Sequence, residues 1–275
     1  MEYKFDAKET TKKLIDGIQK WFKENGEGCN AVLGLSGGKD STIVAKLCVE
    51  ALGADRVIGV AMPDRRRGQG LNEADEIAKW LGIKFRVVNI SGIIDKLTIR
   101  LEKSLNTNVI GDEYESEQDF DEETSTNEYW ELSKQAEQNI PPRVRMLTLY
   151  AISQSVNGRV IGTCNTSENY IGYFTKYGDG ASDFEPIAEL TVHELYQIGD
   201  ELGIPKKWVY KVPDDGLPNS CPDDEKFMKM GFNNYDKLDK YIREGTSGDA
   251  VADAAIEKMH KANLFKLKPV ETIKI

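Results

Sequence analysis

The sequence predicts an α/β fold: a doubly wound, mostly parallel sheet with helices on both faces and a helical C-terminal tail. Strand-like apolar runs alternate with helical apolar spacing through most of the 275 residues, as repeated βαβ units do. The first apolar run ends in a Ser-Gly-Gly turn directly ahead of a helical pattern, and ligands of such sheets sit beyond the carboxyl ends of the strands. No internal repeat and no clear linker breaks the chain, so 1–275 reads as one domain.

The elements follow in order. Leu14, Ile15, Ile18, Trp21 and Phe22 recur at helical spacing and predict an amphipathic helix over 10–22. Ala31-Val32-Leu33-Gly34-Leu35 reads as a buried strand running into a tight turn. A helix over 39–52 carries Ile43, Val44, Leu47, Cys48 and Leu52 on its apolar side, and a second strand covers 57–62. A helix over 71–81 stops at Gly82, a third strand spans 85–89, and a helix spans 93–105. Behind the Pro141-Pro142 pair come a helix over 143–156, a strand over 159–163, and a helix over 192–202 closed by Gly203.

Charge and composition exclude several functions. The net charge of −10 argues against a nucleic-acid-coating protein. No basic residue lies between Lys103 and Lys134, where ten acids do: Asp112, Glu113, Glu115, Glu117, Asp119, Asp121, Glu122, Glu123, Glu128 and Glu131. These ten equal the whole net charge, so the rest of the chain is near neutral and leaves room for a basic pocket. The acidic stretch, at about 106–137, reads as a solvated, mobile insertion, with an acidic lid or docking arm as the sharper alternative. Two histidines, His193 and His260, are too few for a multi-histidine zinc site. The four cysteines form no C-x-x-C pair, which predicts a reduced, cytoplasmic protein. The charged start carries no apolar signal segment, and no apolar run approaches the ~20 residues that cross a bilayer; no membrane association is expected.

Gly34-Leu35-Ser36-Gly37-Gly38-Lys39-Asp40-Ser41 joins the first strand to its helix. Glycines let a ligand approach the backbone, and the N–H groups of the following helix favour phosphate. Neither G-x-x-x-x-G-K-[ST] nor G-x-G-x-x-G is present: Gly34 and Gly38 are one residue too close, and Asp40 follows Lys39. A shorter loop ending in an acid suits holding a terminal pyrophosphate, with Asp40 placing Mg²⁺ against it. That geometry favours attack at the α-phosphate of ATP. A glycine-rich turn without a ligand is the bland alternative.

A second polar constellation follows the 159–163 strand. It contains Thr163, Glu168, Lys176, Asp179 and Asp183. Glu168 offers a second carboxylate for a metal that Asp40 cannot saturate alone. Lys176 suits an anionic substrate. Asp179 and Asp183 suit ribose hydroxyls or an incoming amine, although each acid read alone is equally a turn or cap residue.

SGGKDS resembles the SGGxDS signature of the N-type ATP pyrophosphatases, which adenylate carboxylates or carbonyls. The stretch 162–190, with GT-x₄-E followed by GYFTKYGD, resembles the ammonia-dependent NAD synthetases more specifically, as do the Pro142-Arg143-Val144-Arg145-Met146, Leu202-Gly203-Ile204-Pro205 and Asp215-Gly216-Leu217 segments. The likeness covers nearly the whole chain outside the acidic insertion. It implies an adenine nucleotide alpha hydrolase-like fold and conversion of deamido-NAD, ATP and ammonia to NAD, AMP and pyrophosphate. It further implies ATP at 34–41 and Thr163, Mg²⁺ at Asp40 and Glu168, and deamido-NAD held by Arg143, Lys176 and Asp183. The family's His-Lys tail motif falls on Phe265-Lys266, ahead of Pro269, with His260-Lys261 as an alternative placement. A homodimer completing the site across its interface is also implied.

Three positions depart from the family pattern at places associated with ATP: Ala61 stands for an arginine, Val192 for a lysine and Asp214 for a threonine. Arg65, Arg66 and Arg67 offer replacement charge or form a solvated basic turn. The expected chemistry is attack of the nicotinate carboxylate on the α-phosphorus, then ammonia on the acyl adenylate. Asp40, Lys176 and Asp179 would carry the chemistry, Asp179 or Asp183 would take the ammonium proton, and the loops at 65–70 and 214–225 are candidates for closure. Glutamine-using relatives carry an extra amidohydrolase domain of roughly 250 residues; about 30 residues precede the first strand here, so ammonia is the expected donor. A tRNA-modifying pyrophosphatase and a non-catalytic nucleotide sensor are the competing readings.

Overall fold

The computed structural model describes residues 4–64, 71–105, 131–211, 223–232, 234–270 and 272–273. The elements run α1 (Ala7–Asn25), β1 (Asn30–Gly34), α2 (Lys39–Leu52), β2 (Val57–Ala61), α3 (Leu71–Leu81), β3 (Lys84–Val87), α4 (Ser91–Leu105), α5 (Lys134–Ser155), β4 (Gly158–Val160), α6 (Thr166–Ile171), α7 (Val192–Glu201), α8 (Lys206–Val209), α9 (Asp223–Met230), α10 (Tyr235–Glu244) and α11 (Ala250–Leu267).

The four strands form one parallel sheet in the order β3-β2-β1-β4. Ala31 pairs with Val57 on one side of β1 and with Arg159 on the other. Strand order therefore reverses between β1 and β4, and the crevice beyond their carboxyl ends is the expected ligand position.

Alternation along the strands feeds two cores. Ala31, Leu33, Val57 and Ala61 face one side, where they meet Ile18 and Phe22 of α1, Ile43 and Leu47 of α2, and Leu195 and Ile198 of α7. Val32, Ile58 and Val60 face the other side, against Ile94 of α4 and Ile140 and Val144 of α5. Each of these Val, Leu, Ile and Phe side chains contributes about 1.5–3 kcal/mol when fully buried. A third cluster joins Ile171, Val192, Phe227, Phe232, Leu238 and Ile256, tying the helical C-terminal region to α6 and α7.

Several boundaries differ from the sequence expectation. The helix expected to begin behind Pro141-Pro142 begins at Lys134, and both prolines lie inside it. Ser133 caps this helix by accepting from the Ala136 N–H, and burial of Ile140 and Val144 on either side of the pair carries the helix through. Residues 134–137, counted with the acidic insertion, thus belong to α5; residues 106–130 lie outside those described. β4 is shorter than expected because the Gly162 N–H turns to the Phe184 carbonyl (2.8 Å), leaving one bridge between Ile161 and Phe184. The stretch after β4 contains a helix, α6, where only a loop was expected. α1 extends to Ala7–Asn25, capped by Asp6, whose side chain accepts from Glu9 N.

Candidate active site

The β1–α2 loop closes on itself. Gly37 turns the chain at φ +82°, a left-handed conformation suited to glycine. Ser36 Oγ accepts from Gly38 N (3.2 Å), and Ser41 Oγ donates to Gly38 O (3.1 Å). The Thr42 hydroxyl donates to the same carbonyl (2.7 Å). The loop's shape is thereby fixed by its own hydroxyls. Gly38, as N-cap, brings no side-chain acceptor to the start of α2, which leaves that positive end suited to phosphate.

Asp40 stands on the first turn of α2. Its Oδ2 accepts from Lys39 Nζ at 2.9 Å, while Oδ1 is buried with no hydrogen-bond partner among the described residues. The Lys39 side chain is only 4% exposed, and its ammonium lies 6.0 and 5.7 Å from the ring centres of Tyr196 and Tyr235. Burial alone would push this ammonium down, but the charges of Asp40 and Glu168 outweigh it and hold it above the usual lysine value.

Glu168 arrives from the β4 side. Asn165 and Glu168 form a capping box at the start of α6: Glu168 N donates to Asn165 Oδ1, and Asn165 N to Glu168 Oε2 at 3.2 Å. Desolvation first, then the Asp40 charge, raises the Glu168 carboxyl above the usual range. The two acids expected to share a metal are therefore near enough to feel each other. They fit a divalent cation: a buried, unpartnered carboxylate oxygen beside a second carboxylate is destabilising until a cation arrives. No group of three histidine, cysteine or acidic side chains positioned to hold a metal occurs among the described residues.

The loop after α6 forms the other wall. Asp179 Oδ1 accepts from Thr175 N (2.9 Å), and the Asp179 carbonyl accepts from Cys164 Sγ (3.4 Å). Asp179 is exposed as a residue, yet the atoms around its carboxyl desolvate it and raise it, against the lowering effect of the Thr175 N–H. Half-buried Thr163 directly precedes Cys164.

Lys176, Arg143, Phe265 and Lys266 converge. Lys176 Nζ donates to Phe265 O (2.8 Å) and lies over the Tyr177 and Phe265 rings, 5.3 and 5.5 Å from their centres. Arg143 approaches Lys176 O at 3.4 Å. Lys266 Nζ donates to Gly172 O (2.7 Å) and Phe174 O (3.0 Å). The alternative tail placement is engaged elsewhere: His260 stacks on Tyr170 and its Nδ1–H donates to the Tyr170 carbonyl oxygen (2.7 Å), and Lys261 pairs with Glu257.

Asp183 has a different surrounding from that expected of a substrate ligand. Its Oδ2 accepts from Val160 N (2.8 Å), its N–H donates to Val160 O (2.9 Å), and Tyr150 Oη donates to Oδ1 (3.3 Å). Burial and this carboxylate push the Tyr150 phenol up to about 12, so it remains a donor. The carboxylate braces β4.

Val192 is fully buried in the third cluster, and Ala61 is buried at the end of β2, so neither brings charge to the site. Arg65–Arg67, Asp214 and most of the two loops considered for closure lie outside the described residues. Sequence reading did not single out Asn165, Tyr196, Tyr235 or Glu185, whose carboxyl is raised by desolvation. Of these, Asn165 was findable: Asn-x-x-Glu is a capping-box spacing.

Comparisons with known proteins give the family. The NAD synthase family matches residues 10–270. An NH(3)-dependent NAD(+) synthetase of Archaeoglobus fulgidus is 34% identical over 239 residues, covering 86% of this chain and 85% of the relative. The solved NMN synthetase of Francisella tularensis superposes with a TM-score of 0.81 at 27% identity, covering 99% of this chain and 100% of the other. The NH3-dependent NAD synthetase of Campylobacter jejuni, solved with nitrate, gives 0.71 at 28% identity and covers 98% and 100%.

Proposed function

The chain belongs to the NAD synthase family, and from that membership we propose that its β1/β4 crevice carries out ATP-dependent amidation of deamido-NAD by ammonia, the ligase step that yields NAD. The observation that carries the site is the buried, unpartnered Asp40 Oδ1 beside Glu168. Both stand at the strand-order reversal, Asp40 on the first turn of α2 and Glu168 on the first turn of α6.

The 34–41 backbone and the start of α2 hold the outer phosphates of ATP, with Thr163 on the facing loop. Asp40 and Glu168 would hold Mg²⁺, which when bound offsets the charge of the departing pyrophosphate. Arg143 and Lys176 bind the anionic dinucleotide, with Phe265 and Lys266 closing the same side. They set the nicotinate carboxylate in line with the α-phosphorus. A carboxylate oxygen bonds to phosphorus as the bond to pyrophosphate breaks, giving an acyl adenylate. Ammonia then attacks the acyl carbon, AMP leaves, and Asp179 takes the nitrogen's proton. Its desolvated carboxyl, raised above the ordinary range, suits it to the role of base. Asp183, already bonded through both oxygens, orients the β4 end of the site.

The family match from residue 10 to 270 supports one catalytic unit with the acidic stretch as an insertion. Among the described residues no helix is long and apolar enough to cross a membrane; with Cys29, Cys48 and Cys164 free and buried, we place the enzyme in the cytoplasm. Ile93 on α4 and Leu147 on α5, exposed by 49 and 64%, leave apolar surface that a homodimer would cover.

The test is product formation. AMP and pyrophosphate should appear only when ATP, deamido-NAD and ammonia are all supplied. ADP and orthophosphate, or turnover without the dinucleotide, would reject the reading. The Francisella tularensis likeness favours a second reading, the same amidation on nicotinate mononucleotide. A higher kcat/KM for the mononucleotide than for deamido-NAD would select it.

A further inference from the structure

Lys39 is the sole buried lysine or arginine among the described residues. It stands at the first position of α2, the positive end of the helix, where a cation is disfavoured. A lysine there would ordinarily extend into water. Here its ammonium turns inward, 2.9 Å from Asp40 Oδ2, within the field of Glu168 and against the faces of Tyr196 and Tyr235. Among the described residues, the two carboxylates and the aromatic faces offset the cost of that placement. Lys39 engages a single Asp40 oxygen and leaves Oδ1 buried without a donor among the described residues. The ammonium therefore compensates the acid pair without satisfying it.

We propose that Lys39 is a positioning residue: an internal cation for the Asp40–Glu168 pair that makes the nucleotide-free enzyme a poor site for a bare divalent metal and a good one for metal arriving with a triphosphate. The Lys39 ammonium, 2.9 Å from Asp40 Oδ2, offsets one negative charge of the pair. A lone dication meets that reduced attraction and the ammonium's repulsion. A triphosphate brings several negative charges, so the ammonium then attracts the incoming complex. The aromatic faces and the short Asp40 contact keep Lys39 from swinging away. This inference rests on Asp40 and Glu168 being the metal carboxylates.

Free Mn²⁺ measured by electron paramagnetic resonance over the intact, nucleotide-free protein separates the possibilities. Removing one charge this close should make Lys39→Met bind Mn²⁺ about tenfold tighter than wild type or more. Lys39→Arg should stay within about threefold of wild type, and Asp40→Asn should bind weakest. A non-hydrolysable ATP analogue should tighten Mn²⁺ binding more in wild type than in Lys39→Met. Lys39→Gln, polar and uncharged, takes the place of Lys39→Met if the latter does not fold, with the same expectation. Equal or weaker Mn²⁺ binding in the neutral variants, with Asp40→Asn still defective, overturns the role of Lys39 and leaves the metal site standing. Wild-type Mn²⁺ binding in Asp40→Asn overturns both.

Discussion

Lys176 Nζ donates to the backbone carbonyl of Phe265, 89 residues further along the chain, at 2.8 Å. This contact pins the end of α11 to the loop after α6, so a lysine suited to an anionic substrate also fixes the segment that closes the same side of the site. Lys266 reinforces it by donating to two carbonyls of the loop.

Replacing Lys176 by alanine should therefore act on the dinucleotide more than on ATP. The KM for deamido-NAD should rise by about tenfold or more, with the KM for ATP changing by less than about threefold, as removal of a ground-state contact predicts. Steady-state kinetics with each substrate varied in turn checks this. Equal losses would remove the substrate role.

Asp40→Asn keeps shape and removes charge. Turnover should fall by about 10²-fold or more, the scale of losing a preorganised electrostatic group, while circular dichroism stays close to wild type and melting falls, because the buried Lys39 ammonium loses its 2.9 Å partner's charge. Near-normal pyrophosphate release in this variant would place the metal elsewhere.

Legibility in the sequence varied with the range of the forces involved. α2 and α3 begin and end where expected, because a Gly-Gly turn, apolar spacing and Gly82 are all local signals. The start of α5 was hidden: a proline pair resembles a helix start, and only burial of Ile140 and Val144 against the sheet shows the helix running through it. α6, six residues long, is too short for periodicity and was marked only by its capping box. The meeting of Asp40 and Glu168 was legible from motif and strand order together. The bracing role of Asp183 was not, since Val160 and Tyr150 reach it only through tertiary packing. The inward turn of Lys39 runs against the usual exposure of lysine.

Asp183→Ala should cost stability as well as activity. It leaves the N–H of buried Val160 without its acceptor, a loss of about 1–3 kcal/mol. Urea unfolding followed by tryptophan fluorescence reads it. A stability within error of wild type, with the dinucleotide KM raised, would return Asp183 to the substrate.

His193 joins α7 to α10. Its Nδ1 meets Asp239 and its Nε2 meets Asp236, each at 2.7 Å, and Asp239 also accepts from Ser167 on α6. The hydrogen bond to Asp239 leads in raising the imidazole above its ordinary value, outweighing burial. Protonation is thus favoured by folding. The contribution is fully present below the unfolded value near 6.5 and disappears as pH rises through the raised folded value. The Tm of wild type minus that of His193→Gln should be larger at acid than at alkaline pH, as differential scanning calorimetry would show; a difference constant across that range would mean the ring is held uncharged.

Gly172 and Gly203 have nearly the same backbone, φ +68° and +66°, but different surroundings. A Cβ on Gly172 would come within 2.3 Å of Asn263 Cβ on α11, whereas Gly203 has nothing within 4 Å. Gly203→Ala should therefore cost only the left-handed strain, about 1 kcal/mol, with kinetics unchanged. Gly172→Ala adds a collision that neither helix can relieve by rotating a flexible tip, so it should cost about 2–4 kcal/mol. The collision also pushes α11 off the loop that Lys176 and Lys266 hold, and with it the Phe265 end of the helix. The dinucleotide KM should then rise in Gly172→Ala and not in Gly203→Ala. Matching kinetics in the two variants would show that the docking of α11 has no part in holding the substrate.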